Sequence, residues 1–206
     1  MNENNLCIAG NKTYSEWLEF SQALSNGKEA EWELAFSEYF EARLNSRYFD
    51  PITTLQYHDI CKGEGFSMMA ILCSLIEFLE STVQGKIYRY VRNARDLGEH
   101  EYCHSKSMFK SFLINREPFN MVFDHDRSED FYSNIRCGLL HEAGIKGGWR
   151  IRANSESKSF IDFEKKEIYR NNFKDAIEKF IDQYKKDLLV DKDLQESFIR
   201  KFNSLV

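Results

Sequence analysis

The chain has 206 residues, of which 42% are hydrophobic and 15% aromatic, which excludes a disordered or fibrous protein and leaves enough length to bury a real core. A formal net charge of −5 argues against broad, nonspecific attraction to nucleic acid but leaves room for a local basic site. The five cysteines, at positions 7, 61, 73, 103 and 137, show no paired metal spacing and read as reduced thiols. Met1 to Asn5 lacks the basic and apolar signature of a secretory signal, so a cytoplasmic location is expected.

Only two prolines occur, Pro51 and Pro118, as suits long helices. Asn11-Lys12-Thr13 precedes a short helix with Trp17, Leu18, Phe20 and Leu24 as its apolar contacts, and Asn26-Gly27 ends it. Residues 30–48 read as a helix with Trp32, Phe36, Tyr39, Phe40 and Leu44 on a broad apolar face, stopped by Pro51. Tyr57-His58-Asp59 contains a His–Asp pair, but neighbours on a regular element point apart. A loop role accounts for it equally well.

The spacing predicts a central helix over Phe66–Gln84, apolar on two faces through Met68, Met69, Leu72, Cys73, Leu75, Ile76 and Leu79. Such a helix is buried or forms an oligomer interface. Its apolar run ends at Glu77, too early for a membrane span. Glu77 itself needs a partner amid so much apolar surface, and Arg136 would suit it; an edge position with another partner is the alternative. Gly85–Glu101 is basic at first. If it stays helical, Lys86, Arg89 and Arg92 form a stripe on one face, open to nucleic acid or to nearby acids. A short helix follows at 105–114. His100, His104 and His125 have acidic neighbours but no ligand spacing, so no metal is expected.

Phe131–Ile151 carries the candidate chemistry. Asp126, Ser128 and Asp130 cluster as cap and first-turn residues would, and Phe131, Ile135 and Leu139 recur at four-residue spacing. Gly144 sits where a left-handed terminating residue is expected, with Gly147-Gly148 turning the chain. Gly138 inside the helix costs about 1 kcal/mol relative to Ala and points to close packing against its backbone. Arg136 and His141, five apart, are separated by roughly 140° and about 7.5 Å of rise. Two copies of the helix meeting across a two-fold axis would bring the pairs together more easily. Histidine titrates near pH ~6.5 when unperturbed, and arginine offers a charged fork matched to phosphate oxygens. Together they suffice for metal-free RNA cleavage. A base helps the 2′-hydroxyl attack its own phosphorus, an acid protonates the leaving 5′-oxygen, and the guanidinium stabilises the transition state.

Beyond the motif the period changes. Trp149, Ile151 and Ala153 alternate with Arg150, Arg152 and Asn154 as in a half-exposed strand, Phe160–Phe163 makes a second strand and Ile168-Tyr169 a third. Lys146, Arg150 and Arg152 lie close in sequence to His141 and are candidate RNA-phosphate ligands, or ordinary solvated strand charges. Asn171 or Asn172 caps an amphipathic helix carrying Phe173, Ala176, Ile177, Phe180, Ile181 and Tyr184. A last helix spans about 191–203.

The run YSNIRCGLLHEAGIKGGWRI, Tyr132 to Ile151, in a mostly helical chain of this size, resembles the signature of the HEPN superfamily, and within it a branch associated with plasmids and mobile elements. The resemblance implies a helical bundle that forms a homodimer, with the Arg-x4-6-His motifs of both chains in a composite active site. It implies a metal-independent endoribonuclease that needs no cofactor and works in a toxin–antitoxin or anti-phage defence setting, with RNA as substrate and an antitoxin or defence-system partner. Matched residue by residue, Arg136 and His141 are catalytic, and Glu77 is the supporting carboxylate read above. HEPN nucleases usually have a polar residue after the arginine, where this chain has Cys137. Those modified by a partner nucleotidyltransferase carry a tyrosine two residues after the histidine, where this chain has Ala143, so that mode of control is not implied. The fold expected is mainly α. It would be one continuous domain over 1–206, a HEPN-like helical bundle with a small antiparallel β-meander at about 149–169. The other reading is a catalytically silent HEPN-like module that binds RNA or a nucleotide, or acts as a scaffold.

Overall fold

A computed structural model describes residues 6–24, 27–57 and 63–206. The His58–Asp59 pair, Cys61 and the Asn26 half of the Asn26-Gly27 stop lie outside the described residues. The fold is mainly α, with only small sheets. In chain order it has strands β1 (Cys7–Ala9) and β2 (Lys12–Thr13), then helices α1 (Tyr14–Leu24), α2 (Glu29–Ala35), α3 (Ala42–Leu44), α4 (Asp50–Tyr57) and α5 (Glu64–Val83). Strands β3 (Ile87–Tyr88) and β4 (Glu101–Tyr102) precede α6 (Ser105–Asn115), α7 (His125–Phe131) and α8 (Cys137–His141). Strands β5 (Arg150–Arg152), β6 (Ile161–Asp162) and β7 (Glu167–Tyr169) lead into α9 (Arg170–Val190) and α10 (Lys192–Phe202). The chain divides into two compact units, Met1–Pro51 with Ser81–Cys103 and Gln183–Val206, and Ile52–Glu80 with His104–Asp182.

In the first unit, α1 opens on a reciprocal cap. Thr13 N and Oγ1 both donate to Glu16 at 2.7 Å, and Glu16 N donates back to Thr13 Oγ1 at 3.3 Å. That Thr-x-x-Glu spacing is legible in the sequence. The β1–β2 hairpin just before it was not foreseen, because its strands are two and three residues long. The core is aromatic: Trp17, Phe40, Phe198 and Phe202 are fully buried, with Phe198 and Phe202 stacked at 4.4 Å. The helical run 29–57 does not stop at Pro51. It is relieved by two π turns, Phe36–Glu41 and Asn45–Phe49, and Pro51 falls in the first turn of α4. Asp50 N donates to Asn45 O across the second π turn, so the residue before the proline keeps its bond, and Pro51, which has no N–H, follows directly on that wider turn.

In the second unit, α5 is buried on both of its apolar faces, through Met69, Leu72 and Ile76 and through Met68 and Leu75, and the core is otherwise built of rings. Phe109, Phe112, Phe119, Phe131 and Phe173 are all buried, and Phe131 stacks on Phe173 at 5.5 Å with an angle of 10°. Helix α5 is long and apolar enough to cross a membrane by length and composition, with a mean hydropathy of 1.6, and 56% of that window is buried within the fold. Buried Glu80 accepts from Ser111 Oγ at 2.6 Å and from Arg116 Nε at 2.8 Å. The three strands expected between 149 and 169 are present, but they do not form an antiparallel meander. The order is β5–β7–β6, with β5 parallel to β7 and only β6 antiparallel to it. The parallel pairing brings β7 in between the other two. Asn171 and Asn172 are not caps: Asn172 Oδ1 accepts from Ser155 N at 2.9 Å and Asn171 pairs with Gln56 and Asn154, tying α4 and the loop after β5 to α9.

The motif helix begins and ends differently from expectation. Asp124 is the N-cap, its side chain accepting from Arg127 N at 2.8 Å, so the cap lies two residues before Asp126. At the other end Ala143, not Gly144, carries the left-handed backbone, with φ of +52°. An L-residue pays roughly 1–2 kcal/mol in that region, partly offset by alanine's smaller unfolded-state entropy. Ala143→Gly is expected to raise stability by about 0.5–1 kcal/mol in urea denaturation.

Candidate functional site

The motif lies in the second unit on a helix that changes pitch just before it. Tyr132–Arg136 is a π turn, closed by Cys137 N donating to Tyr132 O, and regular α-helix resumes over Cys137–His141. The wider turn brings residues five apart onto one side, so Tyr132, Arg136 and Cys137 form a cluster. The Arg136 guanidinium lies over the Tyr132 ring at 5.2 Å, and Lys106 Nζ approaches the same ring at 5.7 Å. Burial raises the Tyr132 hydroxyl pKa; Arg136 opposes this, while Cys137 and the Glu77 charge add to it. Glu77 and Arg136 thus act on the same phenol from different elements. Across from it on α5, burial pushes the Cys73 thiol up to about 12, with Arg136 pulling the other way.

His141, the last residue of α8, is exposed. Arg136 is half-buried and held by Tyr132; His141 is open to solvent. The chain leaves α8 through a tight return. Glu142 N and Gly144 N both donate to Gly138 O, at 2.9 and 3.3 Å. A Cβ on Gly138 would stand 2.6 Å from Gly144 O and 3.2 Å from Ile145 Cα, which is the close backbone approach its presence in the helix implied. The loop is then pinned. Asn134 Nδ2 and Trp149 Nε1 donate to the two oxygens of Asp130 at 2.6 and 3.0 Å, and Lys146 N donates to Asn134 O at 2.9 Å.

Of the expected phosphate ligands, Lys146 is paired with Glu142 at 2.8 Å, and Arg150 and Arg152 share Glu167 at 3.5 and 3.1 Å. Two guanidiniums on one carboxylate leave a net positive charge on that strand. Phe66, Ile145, Trp149, Arg150 and Arg152 border an open groove of about 480 Å³ that Ala143 and Gly144 join to the end of the motif helix. The structure therefore brings Arg150 and Arg152 to a groove beside the motif helix's end, and sets Lys146 in a local ion pair.

Sequence reading missed the ring and its surroundings. Tyr132 had no pattern to single it out, because a π turn is not visible in a 3.6-residue period. Lys106 and Lys110 were visible as a helical i,i+4 pair of like charge. Both pair with Glu129, Lys110 at 2.7 Å, and these contacts hold the Glu129 carboxyl down to about 2. Among the described residues no three His, Cys, Asp or Glu side chains gather as a metal site would require. No protein-family model, curated protein or solved structure matches this chain.

Gly138→Ala is expected to destabilise the fold by about 1–3 kcal/mol, because backbone rather than a flexible side chain must move; thermal denaturation measures it. Glu129 has its folded pKa below the unfolded carboxylate value. Its pairing with Lys106 and Lys110 therefore contributes fully above about pH 4.5 and is lost as pH falls toward about 2. The stability difference between wild type and Glu129→Gln is expected to be constant from pH 7 to 5 and to shrink between pH 4.5 and 2.5.

Proposed function

We propose that this chain is a metal-independent endoribonuclease of the HEPN type, cleaving RNA through a 2′,3′-cyclic phosphate. The observation that carries the reading is the Arg136–His141 pair, with Arg136 at the end of the π turn held against Tyr132 and His141 open to solvent at the end of the short helix that follows. The Arg136 guanidinium binds the non-bridging oxygens of the scissile phosphate and stabilises charge as it builds there. His141 takes the proton from the 2′-hydroxyl as that oxygen bonds to phosphorus, or returns one to the 5′-oxygen as its bond to phosphorus breaks. One imidazole serves both transfers poorly, so the working form is a homodimer in which the partner subunit's His141 supplies the second. Glu77 supports the site through Tyr132. Arg150 and Arg152 at the groove hold flanking phosphates, and Lys146 joins them when it leaves Glu142. The setting is a cytoplasmic toxin–antitoxin or anti-phage system with an antitoxin or defence partner.

A second reading is favoured by Cys137 in place of a polar residue after Arg136, and by the ion pairs that Lys146, Arg150 and Arg152 already make. It is a silent RNA- or nucleotide-binding module, or a scaffold.

The test is a mixed cellular RNA pool in EDTA, with end-group analysis of the products. Wild type is expected to release fragments ending in cyclic phosphate, and Arg136→Ala and His141→Ala to fall by about 10²–10⁴-fold while staying folded and dimeric. Full activity in either variant, or a requirement for a divalent ion, overturns the mechanism. No cleavage by folded, dimeric wild type selects the second reading.

A further inference from the structure

The stretch from Gly85 to Arg95 stands out against the rest of the chain. It carries Lys86, Arg89, Arg92 and Arg95 and no acidic residue, in a protein of net charge −5. It also shows two tyrosines to solvent, Tyr88 with 51% and Tyr90 with 78% of their surface exposed. The stretch is not helical, so the cations form no helix stripe. It runs through β3, irregular backbone and a short 3-10 turn, Ala94–Asp96.

Its base is fixed. Strand β3 pairs in parallel with β4, and Ile87 N and Arg89 N donate to His100 O and Tyr102 O at 2.8 and 2.9 Å. Tyr88 meets the buried Tyr102 edge-on at 5.6 Å, and Arg89 pairs with Glu101 at 2.8 Å. Lys201 Nζ donates to Lys86 O at 3.2 Å. Beyond this anchor, Tyr90, Arg92 and Arg95 stand exposed, and the two arginines enter no ion pair among the described residues. The Asn93 side chain accepts from Arg95 N at 3.1 Å and so orders the turn that presents the last arginine.

The chemistry on offer is phenol rings with accessible surface, interleaved with unneutralised guanidiniums. A plain solubilising loop has no use for the rings. A membrane-inserting loop would show aliphatic side chains, yet Ile87 and Val91 are half-buried. Ring faces suit bases, and guanidiniums suit phosphates. Base faces are available only where strands are unpaired. We propose that residues 86–95 are a single-strand-binding arm, in which Tyr88 and Tyr90 stack on bases while Arg92 and Arg95 hold the adjoining phosphates. The arm belongs to the first unit and Arg136–His141 to the second, so this inference stands independently of the nuclease reading.

The experiment measures fluorescence anisotropy of a labelled 20-nucleotide oligouridine, in EDTA, with the His141→Ala protein so that cleavage plays no part. An RNA duplex of the same length, the oligothymidine counterpart and vesicles containing anionic lipid are the comparisons. Single strands are expected to bind at least tenfold more tightly than duplex. Tyr90→Ala is expected to weaken binding by about tenfold, and Tyr90→Phe to restore it, since the ring face is kept. Arg92→Ala with Arg95→Ala is expected to reduce the slope of log K against log salt by roughly 1.4, two phosphate contacts' worth. Binding to oligothymidine as tight as to oligouridine supports the arm and shows that it reads no 2′-hydroxyl. Wild-type affinity in Tyr90→Ala, equal affinity for duplex, or Tyr90-dependent binding to vesicles without RNA binding overturns it. Tyr90-dependent binding by a wild type that cannot cleave upholds the arm and removes the nuclease; Arg136-dependent cleavage by a protein whose oligouridine binding is unchanged in Tyr90→Ala does the reverse.

Discussion

The motif region depends on one close approach of backbone to backbone. Gly138 leaves the space into which Gly144 O and Ile145 Cα come. Only because of that approach does the chain double back at the end of α8, rather than continue the helix or swing away. The Asp130 carboxylate then fixes the returning segment by taking Asn134 on its own helix and Trp149 on the far side of the loop. Trp149 in turn meets Phe163 edge-on at 5.5 Å. The small sheet is thereby tied to the motif helix by a glycine, a carboxylate and an indole. Any side chain at 138 would press on this whole return, because the obstructing atoms are main chain and cannot rotate away.

Departures from regular helix do as much as helix itself. A strict α-helix would set Tyr132 and Cys137 about 140° apart. The π turn closes that gap and gathers a phenol, a guanidinium and a thiol on one side of one turn. Extra turns of this kind recur at functional sites because they aim side chains that regular pitch would scatter. The two π turns of residues 36–49 have another consequence. They fall in a run whose buried residues, Phe36, Tyr39, Phe40 and Leu44, need a broad apolar face, and the second lets the chain pass Pro51 without breaking.

What the sequence made legible follows from this. Long periodic segments were readable, as with α5, α6, α9 and α10, because their apolar faces repeat at the helical period, and α10 starts at an ordinary cap, Asp191. The three strands near 150–169 were readable from alternation, but their order was not. Alternation fixes which face is buried and says nothing about which neighbour supplies the hydrogen bonds. Pro51 was misread because a π turn is invisible to a period count. The helix end was misread because Gly144 looked like the left-handed residue, whereas the space at Gly138 places that conformation at Ala143. Within the candidate site, Arg136, His141 and the reason for Gly138 came from the residues alone. Tyr132 and its second cation, Lys106, arrive from tertiary packing and from an element 26 positions earlier in the chain.

Charge placement bears on what such a protein could select. With net charge −5, a polyanion meets repulsion over most of the chain and attraction only where cations outnumber acids. Much of the positive charge is spent internally: Lys106 and Lys110 on Glu129, Lys146 on Glu142, Arg170 on Glu64. Two further places combine several cations with few acids. One is the Arg150–Arg152 strand, where a single carboxylate serves two guanidiniums. The other is the 86–95 stretch, where Arg92 and Arg95 enter no ion pair among the described residues. A molecule built this way gains little from sheer phosphate density, so duplex RNA and DNA hold no advantage through charge alone. On the proposed single-strand-binding arm, discrimination rests on groups a duplex hides, chiefly base faces, on which exposed tyrosines can stack.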